Sequence, residues 1–290
     1  MAFRNTAKTV ALLAGIGGLL VLVGSALGGA GGALIGAILG LVIVGASYWF
    51  SDRIAVRAAG AHEVSEREAP QLHAMVAELA ATAGLPKPRV YVSPAAQPNA
   101  FATGRNPAHS AVAVTEGLLT QCPPDELRAV LAHEMAHIRN RDILIGSVAA
   151  AIATGISFIA NMALWAGMFG GGDDEDGPSP IVAILLAILA PLAATVLQMA
   201  LSRSREFEAD RVGAELLGDP EPLARALQRI DTMAARTPLD VSPAQASAYI
   251  VNPLTGRQVN FARLFLTHPP VEERIERLRA MRQDDTMRAA

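Results

Sequence analysis

Residues 133–137 of the chain read HEMAH, two histidines four positions apart with a glutamate beside the first. An α-helix turns once in about 3.6 residues, so His133 and His137 would lie on one face and could hold the same metal ion. Glu134 would lie next to them, where its carboxylate could take a proton from water activated by that metal. The alternative is structural, with two histidines lining a helix and Glu134 in solvent. The spacing on a helix predicts a zinc site suited to hydrolysis.

A third ligand is offered by the segment REFEADR at 205–211. Catalytic zinc sites have three protein ligands and one open position, and Glu206 would complete a His, His, Glu set. Asp210 lies one helical turn further on, where we expect it to accept a hydrogen bond from His133 and fix the ring. Taken alone, an acidic pair at this spacing is usually a solvated helix face. Together with HEMAH it favours one Zn²⁺ per chain.

The elements that must position these residues can be predicted from local patterns. Pro123 and Pro124, followed by Asp125 and Glu126, indicate the start of the helix that carries HEMAH. Apolar residues at helical spacing predict further helices over SEREAPQLHAMVAELAATAGL, SREFEADRVGAELLG, PLARALQRI and VEERIERLRAM. Three short strands are predicted at RVYV, NAFATG and SAVAV. The expected fold class is therefore mainly α with a small β-sheet.

Half of the chain is apolar (51% of 290 residues), which leans toward a membrane protein. No charge occurs over 9–51, which is long enough for two crossings of roughly 20 residues each, and GGAGG near the middle predicts the turn. Two more charge-free runs, 143–172 and 180–202, predict a third and a fourth transmembrane helix. The alternatives are a cleaved signal peptide for the first run and buried core helices for the others. The predicted units are a hairpin over 9–50, a first hydrophilic part over 52–142, two spans over 143–202 and a second hydrophilic part over 203–290.

Positive charges flank the four predicted spans on one side only. The flanking residues are Arg4, Lys8, Arg53, Arg57, Arg139, Arg141, Arg203 and Arg205. The two connecting turns carry no positive charge, and the second, GGGDDEDG, is acidic. The excess of positive charge on cytoplasmic loops predicts that both termini and both hydrophilic parts lie in the cytoplasm. The net charge of −3 gives no sign of nucleic-acid binding, and one cysteine excludes an intramolecular disulfide.

Four segments, LRAVLAHEMAHIRNRD, SREFEADRVGAELLG, PNAFATG and THPPVEERIERL, occur together with four predicted spans. This combination resembles the HtpX-type membrane zinc metalloproteases, relatives of the CAAX prenyl proteases, over nearly the whole chain. The resemblance implies a cytoplasmic zincin domain of the gluzincin type at a bacterial cytoplasmic membrane. It also implies a zinc metalloendopeptidase that cleaves misfolded or damaged membrane proteins.

The resemblance assigns roles to individual residues. It implies that His133, His137 and Glu206 bind zinc and that Glu134 is the catalytic base. Asp210 falls at the position of the aspartate that supports a ligand histidine. His268 matches the histidine of the HPP motif, which steadies the oxyanion. The alternative for His268 is a helix cap ahead of the two prolines that follow it.

Substrate binding is predicted at the strand NAFATG. An exposed sheet edge there would pair with an extended peptide through the backbone of Asn99, Ala100, Phe101 and Ala102. Such pairing reads shape more than sequence, which suits loose specificity for membrane-protein or unfolded polypeptide substrates. The alternative is an ordinary core strand with Asn99 in a turn. The expected partners are these polypeptides and the lipid bilayer, with no nucleic acid.

Three other functions compete with this prediction. A CAAX-type prenyl protease would use the same zinc chemistry, but it needs more spans and a large chamber within the membrane. A catalytically inactive membrane scaffold is disfavoured by the intact Glu134 and the complete ligand set. A zinc-regulated transporter is disfavoured because the predicted spans contain no ionisable residue that would line an ion path.

Overall fold

The computed structural model describes residues 2–146, 203–234, 236, 249–251 and 269–289. The helices whose full extent is described are α1 (Ala2–Trp49), α2 (Ser51–Ala58), α3 (Pro70–Ala83), α4 (Glu116–Gln121), α5 (Pro124–Asn140), α6 (Arg203–Leu217), α7 (Glu221–Ala234) and α8 (Val271–Ala289). The strands are β1 (His62–Glu63), β2 (Arg89–Ser93), β3 (Ala100–Asn106) and β4 (His109–Thr115). The predicted mainly α fold with a small sheet is confirmed. Nearly all of the third and fourth predicted spans, and His268, lie outside the described residues.

The apolar element α1 reverses direction at Gly29. This residue has a φ of +57°, in the left-handed region that glycine adopts without strain. Beyond it the two arms meet, because a Cβ added to Gly36 would lie 2.2 Å from the carbonyl oxygen of Leu20. A straight helix would hold those residues about 24 Å apart. The arms therefore run antiparallel in contact.

The second arm, Gly29–Trp49, is long and apolar enough to cross a membrane, and it is the one such candidate found in the described part of the chain. Its large apolar side chains, among them Leu34, Leu41 and Val42, are exposed on the protein surface. A surface of this kind is unfavourable in water and favourable in lipid. That both arms of the hairpin cross a bilayer stays a prediction.

The sheet is mixed, with the strand order β1-β2-β4-β3. β2 and β4 are parallel, whereas β1 and β3 pair antiparallel with their neighbours. Side chains alternate between the two faces of a strand. Val90 and Val112 therefore lie in the main core, while Tyr91 and Ala113 lie in a smaller cluster on the opposite face. The predicted strands are confirmed, and β1 is an addition.

Helix α2 packs on the second face of the sheet and was not predicted. It buries Val56 against the cluster that contains Tyr91, and Asp52 in its first turn forms an ion pair with Arg89 of β2. The helix has only eight residues and follows the long apolar run directly. It is too short to show a clear helical periodicity apart from that run. It ties the end of the membrane hairpin to the sheet.

Helix α5 is the centre of the hydrophilic part. Its first turn begins at Pro124 and carries Asp125 and Glu126, as predicted. Glu126 is buried, and it accepts hydrogen bonds from Arg229 of α7 at 2.6 and 3.1 Å. Leu131 and its neighbours pack into the main core between the sheet and α7. Contacts within the protein thus fix the helix that carries HEMAH on several sides, independently of any metal ion.

Candidate metal centre and active site

The HEMAH segment forms the third and fourth turns of α5 and is buried. His133 and Glu134 are 0% and 2% exposed, and the His137 side chain is 17% exposed. The Nε2 atoms of the two imidazoles face each other at 3.1 Å. The i, i+4 spacing therefore brings both potential ligand nitrogens to one point, as the pattern predicted.

Helix α6 supplies the carboxylate. Oxygens of Glu206 lie 3.7 Å from Nε2 of His133 and 3.7 Å from Nε2 of His137. Gly213, two turns along the same face of α6, permits this close approach. A Cβ at that position would lie 3.0 Å from both the backbone nitrogen and the Cα of His133. The absence of a side chain at Gly213 sets the distance between the two ligand-bearing helices.

We expect Gly213→Val to push α6 away from α5 and to weaken metal binding. Overpacking of a tight contact between backbones typically costs about 1–3 kcal/mol of unfolding free energy. Thermal unfolding of the metal-free protein and zinc affinity by chelator competition would measure the two effects. The control is Gly45→Ala, since a Cβ at Gly45 meets nothing within 4 Å. Unchanged zinc affinity in Gly213→Val would contradict the spacing role.

The donor set fits a tetrahedral zinc ion. One potential ligand atom from each of His133, His137 and Glu206 lies within 4.8 Å of the other two. Zinc bonds of about 2.0–2.1 Å at tetrahedral angles separate neighbouring ligand atoms by roughly 3.3 Å. The two Nε2 atoms lie 3.1 Å apart. Each of them lies 3.7 Å from a different oxygen of Glu206, so the three side chains surround one point at about the scale that zinc requires. Three ligands on two helices leave one coordination position for water or substrate.

A carboxylate stands behind each imidazole. Asp210 Oδ1 lies 2.9 Å from Nδ1 of His133, although the ring N–H does not point directly at that oxygen. Asp142 Oδ1 lies 3.1 Å from Nδ1 of His137. Carboxylates in this position fix ring orientation and leave Nε2 for a metal. The sequence predicted Asp210 for this place and missed Asp142.

Asp142 reaches His137 because of the way α5 ends. Arg141 adopts a left-handed conformation with φ of +56°. The Asp142 N–H then donates to the His137 carbonyl at 3.3 Å, and the Arg141 N–H donates to the Ile138 carbonyl at 3.2 Å. This pair of bonds is a Schellman motif, which usually has glycine at the left-handed position. Because an arginine occupies this position instead of glycine, the sequence did not indicate the turn that ends α5.

The charges of the site favour a cation. Burial raises the pKa of Glu134 to about 7. Burial would lower the pKa of His137, but the carboxylates of Asp142, Glu206 and Glu134 together raise it to about 10. Acidic groups thus converge on an imidazole and favour positive charge at this point. A divalent cation at the same point would supply that positive charge.

Arg274, from the first turn of α8, is a further buried charge that sequence analysis missed. Its guanidinium donates to Asp210 at 2.8 and 2.7 Å. Burial acts to raise the pKa of Asp210, yet the guanidinium lowers it to about 2. Arg274 lies six residues after His268 in THPPVEERIERL, and its periodic neighbours indicated only a helix. No local pattern marks a contact between α8 and α6.

Strand β3 lies at the edge of the described sheet, beside Glu134. The Thr115 N–H donates to the carbonyl of Asn99 at 3.0 Å, so Asn99 turns its backbone groups toward β4. Orientation alternates along a strand, so the backbone groups of Ala100 and Ala102 point away from the sheet. The Ala102 N–H bonds to the Glu134 carboxylate. The outer edge of β3 therefore adjoins the candidate base.

Residues 249–251 cover the beginning of that edge. The N–H of Ile250 donates to the Ala100 carbonyl at 3.1 Å. The side-chain amide of Asn99 donates to the carbonyl of Val251 at 2.9 Å. Ile250 thus already occupies the outward carbonyl of Ala100, which a paired peptide would need.

The four residues predicted to bind substrate are therefore not equally accessible. Asn99, Ala100 and Phe101 are 0%, 0% and 3% exposed, whereas Ala102 is partly exposed. The expectation of an edge strand agrees with the sheet order, but the expectation that all four residues are open does not. The segment 249–251 that covers them is distant in sequence, and no pattern in NAFATG predicts this contact.

A helix carrying two histidines and a glutamate, completed by a glutamate from a second helix, defines the class of HExxH metallopeptidases. A family model described as Peptidase family M48 matches residues 66–282. The chain belongs to peptidase family M48 and is a metalloprotease.

Relatives named "Protease HtpX homolog" match nearly the whole chain. The protein from Pelotomaculum thermopropionicum is 50% identical over 280 residues, which are 96% of this chain and 99% of that protein. The one from Ralstonia nicotianae is 51% identical over 286 residues, 97% of this chain and 98% of that protein. The resemblance inferred from the motifs is thereby confirmed.

The fold is also found in a solved structure of another protein. The crystal structure of S. mikatae Ste24p aligns with a TM-score of 0.50 at 22% sequence identity. The alignment covers 95% of this chain and 65% of the Ste24p chain. At this identity the likeness concerns the fold alone.

Proposed function

We propose that the chain is a zinc-dependent endopeptidase of the bacterial cytoplasmic membrane. The observation that carries the proposal is the convergence of His133, His137 and Glu206 on one point, with one potential ligand atom from each within 4.8 Å of the other two. Glu134 is buried next to them, and the chain belongs to a peptidase family. Its natural substrates would be misfolded or damaged membrane proteins.

When bound, zinc supplies a Lewis acid that polarises the scissile carbonyl and makes water a better nucleophile. Glu134 is placed to receive the proton of that water and to return it to the leaving amine. Burial raises the pKa of Glu134, which makes its carboxylate a stronger base for this proton. We assign His268 the stabilisation of the oxyanion, on the resemblance stated above.

The substrate would be held as an added strand on β3. A substrate N–H would donate to the outward carbonyl of Ala102, a partly exposed residue whose own N–H bonds to Glu134. Pairing further back, at Ala100, would require residues 249–251 to give way, because the Ile250 N–H already donates to the outward carbonyl of Ala100. Recognition through backbone hydrogen bonds accepts many sequences, as quality control requires.

The membrane part would present the site to the cytoplasm. α5 leads directly into the predicted third span, and α6 follows the predicted fourth. With the basic flanks on the cytoplasmic side, both ligand-bearing helices would emerge from the same face of the bilayer. Substrates that fail to fold in the membrane would be reached at that surface.

The test is proteolysis by the full chain purified in detergent. We expect casein to be cleaved at internal peptide bonds, a chelator to abolish cleavage, and added Zn²⁺ to restore it, with mass spectrometry identifying the fragments. Protein carrying zinc but leaving casein and unfolded membrane proteins intact would instead indicate the catalytically inactive scaffold. Cleavage confined to prenylated C-terminal peptides would indicate the CAAX-type specificity.

A further inference from the structure

The guanidinium of Arg274 is an enclosed charge with an uncommon set of partners. Its side chain is 0% exposed. Nε and Nη2 donate to the two oxygens of Asp210 at 2.8 and 2.7 Å. Nη1 donates to the backbone carbonyl of Ile250 at 2.7 Å and lies 3.9 Å from Oε2 of Glu206. Three elements distant in sequence meet at this one side chain.

The two hydrogen bonds from Arg274 constrain Asp210 more tightly than a single charge contact would. A planar guanidinium that bonds both oxygens of a carboxylate fixes its plane as well as its position. Asp210 Oδ1, which accepts from Arg274, is also the oxygen 2.9 Å from Nδ1 of His133. A carboxylate held in this orientation keeps Oδ1 at 2.9 Å behind the imidazole, whose Nε2 faces the other candidate ligands.

The bond to Ile250 acts on the other side of the site. Ile250 N–H donates to Ala100 of β3, and its carbonyl accepts from Arg274. A single side chain therefore supports both the carboxylate behind His133 and the segment that borders the peptide edge. The bonds to Asp210 alone would neutralise the buried guanidinium. The additional bond to the Ile250 carbonyl connects Arg274 to β3 as well.

We propose that Arg274 is a positioning residue of the metal centre, which sets the His133 ring through Asp210. This rests on the proposed function, because it presumes that His133 binds the metal. The role is distinct from catalysis, since Arg274 touches none of the reacting atoms. It predicts that loss of the guanidinium weakens metal binding mainly by way of Asp210, to which Arg274 makes two hydrogen bonds, and not by way of Glu206, which lies 3.9 Å away.

The experiment compares the full-length protein with Arg274→Gln, Arg274→Lys, Asp210→Asn and the double variant Arg274→Gln/Asp210→Asn. Zinc affinity is measured by chelator competition, and folding by thermal unfolding without metal. Groups that support a ligand histidine typically change metal affinity by about 10–100-fold. We expect Arg274→Gln to lose about tenfold and Arg274→Lys, which keeps the charge but not the fork, to lose less.

The decisive comparison is the coupling between the two positions. If Arg274 acts through Asp210, the double variant should bind zinc about as well as Asp210→Asn alone, because the second change removes a support already gone. Arg279→Gln is the control, since Arg279 lies on the same helix, is 48% exposed and, among the described residues, bonds to Glu221 at 3.4 Å. It should match the unchanged protein.

Each outcome bears on one claim. Lower thermal stability with unchanged zinc affinity in Arg274→Gln, or in Arg274→Lys should the glutamine variant not fold, would show a purely structural residue. Losses that multiply in the double variant would also overturn the proposal. Failure of the unchanged protein to bind zinc would count against the proposed function itself.

Discussion

Glu134→Gln should retain the metal and lose nearly all turnover. A general base typically contributes about 10²–10⁴-fold to a rate, and glutamine cannot accept a proton at neutral pH. The substitution preserves the size of a side chain that is 2% exposed, so packing against the sheet should change little. The measurements are kcat on a casein-derived peptide and zinc content by elemental analysis.

The matched control for this substitution is Asp125→Asn on the same helix. Asp125 is 54% exposed and bonds to Arg225 at 2.5 Å, away from the histidines. Surface ion pairs contribute little to stability, so its activity should be that of the unchanged protein. Cleavage by Glu134→Gln at more than about a tenth of the normal rate would rule out its role as base.

Glu206→Gln should abolish stable zinc binding. The carboxylate supplies the one ligand that comes from α6, and its oxygens lie 3.7 Å from each imidazole. A neutral amide is a far weaker ligand for Zn²⁺ than a carboxylate. Residues that merely support ligands change affinity by about 10–100-fold, so loss of a ligand should exceed about 100-fold. Chelator competition measures this directly.

The control for the ligand substitution is Glu208→Gln. Glu208 lies two residues further along α6 and pairs with Arg211 at 2.7 Å instead of facing the histidines. The Glu208→Gln substitution removes the same charge from the same helix. It should leave zinc affinity within about twofold of the unchanged protein, because screened charges away from the site act weakly. Equal affinities in both variants would mean that α6 carries no ligand.

The chemistry of the site could be predicted from sequence because most of it is local. The positions of His133, Glu134 and His137 on one face follow from helical periodicity alone. The start of α5 follows from two prolines and two acidic residues. The position of Glu206 required a chemical argument, namely that two histidines need a third ligand. The strands followed from alternation bounded by turn residues.

The rest of the site is tertiary and has no local signature. Asp142 reaches His137 only because Arg141 adopts a conformation normally taken by glycine. Arg274 meets Asp210 across two helices, and Ile250 meets β3 across a long separation in sequence. A periodic pattern identifies which face of a helix is buried. It does not identify the partner on that face.

The two halves of the metal centre are far apart along the chain. His133 and His137 precede position 141, and Glu206 follows position 202. A single proteolytic cut anywhere in between would leave the imidazoles on one fragment and the carboxylate on the other. The ion would then act as a cross-link between two polypeptides. Stripping it from such a nicked molecule should loosen their association, which ties the lifetime of the cut enzyme to the supply of metal.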